Sequence, residues 1–330
     1  MTQHETVAAQ PEIDEIRRAA DALSEHLSLP TPLVYSPALS ERLEAHVSLK
    51  LEFANPIGAF KLRGGVTLAA ELAASGEAAG LVTASTGNHG QSIAYGAALH
   101  GLDAVIFVPE GANPDKIASI RRLGAEVREE GARFDDANEA AAEFAAERGM
   151  RYVEVDGPTL IAGVATGALE VLDPHGGQQP DTDVVIVPLG GGSGACGWVL
   201  TRDGVGASCE VWAVQSAQAR AGHDSWREGR VVERTNTTMA EGLATATGFE
   251  YTQAILRGRL DDFLLVDDAD IGAAVVELLE HAHLLVETAG AAALAGAVQA
   301  RERIRDRRVV LVLTGANITT EQLRGLLGAS

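Results

Sequence analysis

The chain has 330 residues, 46% of them apolar, and carries 46 acidic against 26 basic side chains, a net charge of −20. That length predicts about two domains with large cores, and the ordinary apolar content excludes a disordered chain. So acidic a surface repels phosphate backbones and disfavours nucleic-acid binding. No run approaches the roughly 20 apolar residues of a membrane span. The start, Met1-Thr2-Gln3-His4-Glu5, is acidic and lacks a basic-then-apolar secretion signal, so the expected location is cytoplasmic. Lysine is nearly absent beside abundant Asp and Glu. That balance suits a protein working in high salt, where carboxylate repulsion is strongly screened, or simply an acidic cytosolic protein. Cys196 and Cys209 lie among apolar residues and form no metal or redox spacing, so no metal site is expected.

In chain order, Ile13, Ile16, Ala20, Leu23 and Leu27 recur at helical spacing and predict a helix from about Glu12 to Leu27. Pro30-Thr31-Pro32 breaks it before Leu33-Val34-Tyr35. An alternating strand then runs from Val47 to Phe53, with Lys50 inside it. Asn55-Pro56-Ile57-Gly58 is a turn signal, and Leu62 to Ser75 is helical. Strands at Leu81–Ser85, Ala104–Val108, Ala125–Val127 and Tyr152–Val155 alternate with helices at Gly87–His100, Pro114–Leu123 and Asp135–Arg148. This order predicts a parallel sheet with helices on both faces. A second alternation follows. Leu160–Leu172 is helical, 174–183 is an exposed loop, and Val184–Val187 is a buried strand before the helix Ala195–Thr201. Val211–Val214 is a strand, and Ala219 to Tyr251 reads as irregular. Phe263–Val266 is a strand, Asp268 is placed to cap the helix Ile271–His281, and Ala289–Ala300 is helical. Val309–Leu313 is the last strand and Thr319–Leu327 the last helix.

Four strand-to-helix corners carry polar or glycine-rich sequence. Lys61 follows the first, in Asn55-Pro56-Ile57-Gly58-Ala59-Phe60-Lys61-Leu62-Arg63-Gly64-Gly65. Of the three lysines it is the best placed for covalent chemistry, since Lys50 lies within a strand and Lys116 on a polar helix face; an ordinary solvated lysine is the other reading. The second corner, Ser85-Thr86-Gly87-Asn88-His89-Gly90-Gln91, opens a helix directly after a strand. Free N–H groups and the positive end of the helix dipole suit an anion such as a carboxylate there, although Ser, Thr and Asn are also normal caps. The third, Gly190-Gly191-Gly192-Ser193-Gly194, lets backbone amides approach a phosphate. Gly192, Gly194 and Gly197 also match a dinucleotide fingerprint, but Gln215-Ser216 stands where that motif needs an acid. The last are Glu287-Thr288-Ala289-Gly290 and Thr314-Gly315-Ala316-Asn317, the latter at the carboxyl end of a buried strand. A cofactor bearing an aldehyde and a phosphate would use an amine, an anion loop, a glycine cradle and a polar strand end together.

Taken in order, these stretches resemble the tryptophan-synthase-β-like fold, the second structural type of pyridoxal-phosphate enzymes. Within it the chain is most similar to threonine/serine dehydratases and their serine-racemase relatives, from about Leu33 to Asn317. Val108-Pro109, Gly124-Ala125-Glu126-Val127 and Glu241-Gly242-Leu243-Ala244 fall in the same order. The resemblance implies an α/β fold of two three-layer αβα domains with mostly parallel sheets and the active site between them. The smaller domain would be 54–154 and the larger 1–53 with 155–330. Only 13 residues follow Asn317, so no C-terminal regulatory domain is expected.

The resemblance also implies the site. Lys61 would hold pyridoxal 5'-phosphate as a Schiff base, with Phe60 against the ring and Asn88 on the ring's phenolic oxygen. Gly190, Gly191, Gly192, Ser193 and Gly194 would cradle the phosphate, and Thr314 would meet the pyridine nitrogen. Ser85, Thr86 and His89 would bind the substrate, with Lys61 and Thr86 as the catalytic pair. The implied activity is β-elimination from L-threonine, and L-serine, to a 2-oxo acid and ammonia. 3-Hydroxyaspartate dehydration and serine racemisation are the alternatives within the family, and a nucleotide-dependent oxidoreductase is the alternative outside it. Racemase relatives carry a serine where Thr86 stands, and metal-binding carboxylates near Gln215 and Ala221, which this chain lacks. A homodimer or homotetramer is the expected assembly.

Overall fold

The computed structural model describes residues 9–328, so the Met1–Glu5 stretch lies outside the described residues. Helix α1 (Ile13–Ser24) leads to strand β1 (Leu33–Tyr35), helix α2 (Pro37–Leu43), strand β2 (His46–Leu51) and helix α3 (Lys61–Ser75). Four strands then alternate with three helices: β3 (Gly80–Ala84), α4 (Asn88–Leu99), β4 (Asp103–Val108), α5 (Pro114–Arg122), β5 (Glu126–Glu129), α6 (Phe134–Arg148) and β6 (Arg151–Tyr152). The second alternation is α7 (Pro158–Leu172), β7 (Val184–Pro188), α8 (Ser193–Val205), β8 (Glu210–Ser216), α9 (Ala221–Glu228), α10 (Glu250–Leu256) and β9 (Asp262–Val266). Helices α11 (Asp268–His281), α12 (Thr288–Gln299) and α13 (Arg301–Ile304), strand β10 (Arg308–Leu313) and helix α14 (Thr320–Gly328) complete the chain.

The strands form two sheets. One has six strands in the order β1-β2-β10-β7-β8-β9, parallel except for the antiparallel edge strand β1. The other has four parallel strands in the order β5-β4-β3-β6. Strand residues alternate between faces, and here both faces are covered. Val184 and Ile186 pack with α11 and α12, while Val185 and Val187 pack with α7 and α8. In the smaller sheet Leu81 and Ile106 meet α4 and α5, while Val82 and Phe107 meet α6. Each sheet is therefore the middle of three layers, which explains runs such as Val184-Val185-Ile186-Val187 with no polar side. Each fully buried Val or Ile contributes about 1.5–3 kcal/mol, so these runs anchor the strands between the helical layers.

Several sequence expectations give way to tertiary contacts. The segment read as irregular contains α9 and the 3-10 turn Glu241–Leu243. Its polar residues are held by bonds to one another, as where Arg220 and Arg234 both donate to Asp224. Asp268 does not cap α11: Asp267 occupies that position with no side-chain cap bond. The Asp268 carboxylate instead accepts from Ser216 Oγ, Thr238 Oγ1 and the Met239 N–H, tying β8 to the segment before the 3-10 turn. Strand β2, though its sequence alternates, is buried from Val47 to Leu51. Lys50 and Glu52 are both buried, in a cluster with Arg63 and Glu170.

Candidate active site

Helix α3 packs against both α4 of the smaller sheet and α7 beside the larger one. Its first residue, Lys61, thereby sits where the two sheets meet. The carboxyl ends of β3, β7 and β10 open onto the same space, as ligand sites in parallel sheets do. The result is a cavity of about 860 Å³ lined by Phe60, Lys61, Ser85, Thr86, Asn88, His89, Gly190 to Gly194 and Thr314, which brings together every site residue read from the sequence. Asp115, Lys116 and Asp135 from the smaller sheet's helices, Asn236, Glu241 and Thr245 from the 230–247 segment, and Glu287 and Asn317 also line it.

Lys61 Nζ donates to the Val155 carbonyl oxygen at 3.1 Å and to Ser193 Oγ at 3.1 Å. Burial lowers its pKa to about 8, against a pull upward from the Asp156 carboxylate. Asn88 is held on both sides. Its Nδ2 donates to Glu287 Oε1 at 2.9 Å, and its Oδ1 accepts from Asn317 Nδ2 at 2.7 Å. His89 is 6% exposed, and neither ring nitrogen has a partner at hydrogen-bond geometry. Burial, and then the Lys61 charge, hold its pKa down at about 3, so the ring is neutral.

Two helix starts face the cavity without side-chain caps. Helix α4 begins at Asn88 behind Gly87, and Ser85 Oγ accepts from the Gly87 N–H rather than capping the helix. Helix α8 begins at Ser193 behind Gly192, whose φ of 98° suits glycine. The third glycine of the dinucleotide match serves packing instead. A Cβ on Gly197 would lie 2.9 Å from the Ala165 Cα, so that glycine lets α8 touch α7. Gln215 is likewise engaged: its Oε1 accepts from the His223 N–H and its Nε2 donates to Thr245 Oγ1.

Residues that sequence reasoning missed are the Val155 carbonyl, Asp156 and the wall residues of 236–249. Lys116 was read as lying on a polar face, yet it pairs with Glu241 across the cavity mouth. The Glu241-Gly242-Leu243-Ala244 stretch was the one local signal for that wall.

A desolvated lysine, an uncapped glycine-bounded helix start and a second uncapped helix start around one cavity define a class. These residues fit a cofactor with an aldehyde for the amine and a phosphate for the glycine amides. The model of the family described as "Pyridoxal-phosphate dependent enzyme" matches residues 25–315, and the chain belongs to that family. It is 35% identical over 321 residues to an L-threonine ammonia-lyase of Geobacter sulfurreducens, covering 95% of this chain and 79% of that one. It is 31% identical over 319 residues to the L-threo-3-hydroxyaspartate ammonia-lyase of Saccharomyces cerevisiae, covering 96% of both. The processed form of threonine deaminase isoform 2 from Solanum lycopersicum superposes with a TM-score of 0.89 at 28% identity, covering 97% of this chain and 95% of that one. The α/β fold is thus that of the second structural type of pyridoxal-phosphate enzymes.

Proposed function

We propose that this chain is a pyridoxal-phosphate dependent ammonia-lyase that converts L-threonine, and L-serine, to a 2-oxo acid and ammonia. The observation that carries the substrate choice is the charge of the cavity wall. Among the described residues no arginine lines it, while Asp115, Asp135 and Glu287 do, besides a Glu241 whose charge is matched by Lys116. A substrate with a second carboxylate, such as 3-hydroxyaspartate, would meet those acids. Of the two lysines in the wall, Lys61 belongs to the cofactor and Lys116 is paired with Glu241. A methyl or hydrogen at the β-carbon meets no such penalty.

Lys61 would carry the aldehyde carbon of the cofactor, Gly190 to Gly194 its phosphate, Asn88 its ring hydroxyl and Thr314 its ring nitrogen, with Phe60 against the ring. When bound, the cofactor supplies an electron sink for the pair left at Cα. The amides at the start of α4, with Ser85, Thr86 and His89, would hold the substrate carboxylate. Lys61 Nζ, once released from the cofactor, would take the α-proton; burial, which disfavours its charged form, favours the free amine that this needs. The neutral His89 ring closes that wall without adding charge. Thr86 keeps a hydroxyl where a racemase has serine, but its extra methyl disfavours proton return from that face.

The proposed division is a smaller domain, 54–154, docked on a larger one formed by the rest. The proposed setting is a cytoplasm of high ionic strength, and the proposed assembly a homodimer or homotetramer. The test of the activity is a panel of threonine, serine and 3-hydroxyaspartate assayed for ammonia and 2-oxo acid, with Lys61→Ala as control. The expected result is turnover of threonine and serine and loss of turnover in the variant. Preference for hydroxyaspartate would overturn the charge argument, and surviving turnover in Lys61→Ala the assignment of the base.

A further inference from the structure

We propose that Glu287 is a positioning residue: its ionised carboxylate holds the Asn88 amide in the orientation that presents an N–H to the cofactor ring, so that the reaction depends on whether this carboxylate is charged. The inference rests on the reading of Asn88 given above. Glu287 precedes α12 and reaches the space between α4 and the end of β10. Its Oε1 accepts from Asn88 Nδ2 at 2.9 Å, and its Oε2 accepts from the Asn317 backbone N–H at 3.1 Å. Asn317 Nδ2 donates both to Asn88 Oδ1 at 2.7 Å and to the Ile57 carbonyl at 2.8 Å, three residues before Phe60. The chain makes room for the carboxylate, since a Cβ on Gly315 would overlap Glu287 Oε1.

An ionised carboxylate only accepts hydrogen bonds, which is what two N–H donors require. Adding a proton removes the negative charge that both N–H groups bond to and makes one oxygen, facing either Asn88 Nδ2 or the Asn317 N–H, a donor and a weaker acceptor. Asn88 cannot escape by turning its oxygen toward Glu287, because that oxygen already accepts from Asn317. The network is therefore held most firmly when Glu287 is charged. Burial opposes that charge and raises the Glu287 pKa to about 7, against the pull of the Asn88 and Asn317 donors. The other charges acting on it are Lys116 on α5, which favours ionisation, and Glu241 in the 3-10 turn, which opposes it. Asn88 and Asn317 are neutral.

The experiment compares Glu287→Gln and Glu287→Asp with the parent protein. For the parent loaded with cofactor, kcat/KM and the visible cofactor band should both change with a midpoint near pH 7. Glutamine can accept from only one of the two donors. Its kcat/KM at about pH 8 should fall ten- to a hundredfold, the usual cost of a lost charge-assisted bond, and the limb near pH 7 should vanish from rate and spectrum together. Aspartate should restore the limb at lower amplitude. The unloaded protein supplies a readout free of the reaction. A raised acid pKa means that the native state binds more protons than the unfolded one between about 4.5 and 7. Parent stability should thus fall as pH rises through that window, relative to Glu287→Gln. A glutamine variant that keeps the parent limb and spectrum, or an unloaded parent with no such fall, overturns the proposal; if glutamine prevents folding, an aspartate variant without the limb does so. A parent with no cofactor band at all would instead sink the proposed function.

Discussion

Burial holds the His89 imidazole near 3, below its ordinary 6.5, and the Lys61 charge pushes the same way. The unfolded chain therefore binds a proton between those values that the native chain does not. Stability present above about pH 6.5 is lost as pH falls through the window, by roughly 1.4 kcal/mol per unit. His89→Leu, which leaves no bonded partner behind, should flatten that fall; urea midpoints compared near neutral and near pH 4 measure it. An unchanged acid slope would place the lost protons elsewhere. Lys61 obeys the same sign rule at higher pH, because burial lowers it from 10.5 to about 8. A buried amine whose charged form is disfavoured is costly for folding and useful for taking a proton.

The element holding Lys61 is braced from behind. Arg63, in the first turn of α3, donates to both oxygens of Glu52 just past β2 and to both oxygens of Glu170 on α7. Lys50 donates to Glu170 at 2.6 Å and to the Thr31 carbonyl at 2.8 Å. Burial opposes the Glu52 charge, but Arg63 and Lys50 outweigh it and hold the carboxyl below its ordinary range. Two cations and two anions balance, so taking one away strands a charge in the core. Arg63→Met should cost about 3–5 kcal/mol. Arg63→Met combined with Glu52→Gln should recover part of that loss, because the remaining Lys50 and Glu170 still balance. Denaturant melts of the single and double variants test this; equal destabilisation would mean that packing rather than charge is at stake. The alternating pattern around Lys50 made β2 look half-solvated. What the pattern could not show is that Glu170, 120 residues beyond Lys50, would arrive to neutralise it, and that Arg63 would do the same for Glu52.

At the scale of the molecule, a charge of −20 spread over one chain repels itself. The basic run Arg301–Arg308 relieves part of it by pairing with acids near the amino ends of the large sheet. Arg301 and Arg305 meet Glu44, Arg303 meets Asp262, Arg307 meets Glu210, and Arg308 meets Asp181 and Asp183. Such exposed pairs are worth about 0–1 kcal/mol each. They do not offset the remaining excess of acids, and screening shortens from about 8 Å at physiological salt to about 3 Å at 1 M. The melting temperature should therefore rise between these two salt concentrations with chloride, a weakly stabilising salt. A flat or falling curve would remove the basis for the proposed high-salt setting.

The strand-to-helix corners were legible in the sequence because glycine, proline and a change of period from 2 to 3.6 are local signals. Lys61, Asn88, the 190–194 glycines and Thr314 could be read for that reason. The partners of these residues were not, because the contacts join remote parts of the chain: Asn88 and Glu287 are 199 residues apart. Local pattern determined which backbone segments became strands and helices and which residues ended them. Only tertiary packing decided that Lys50 would be buried, that Asp268 would cross-link rather than cap, that Lys116 would pair with Glu241 and that burial would raise the Glu287 pKa. Periodicity reports the face a side chain leaves its own element by; dielectric, neighbouring charge and hydrogen-bond partners exist only once the elements meet.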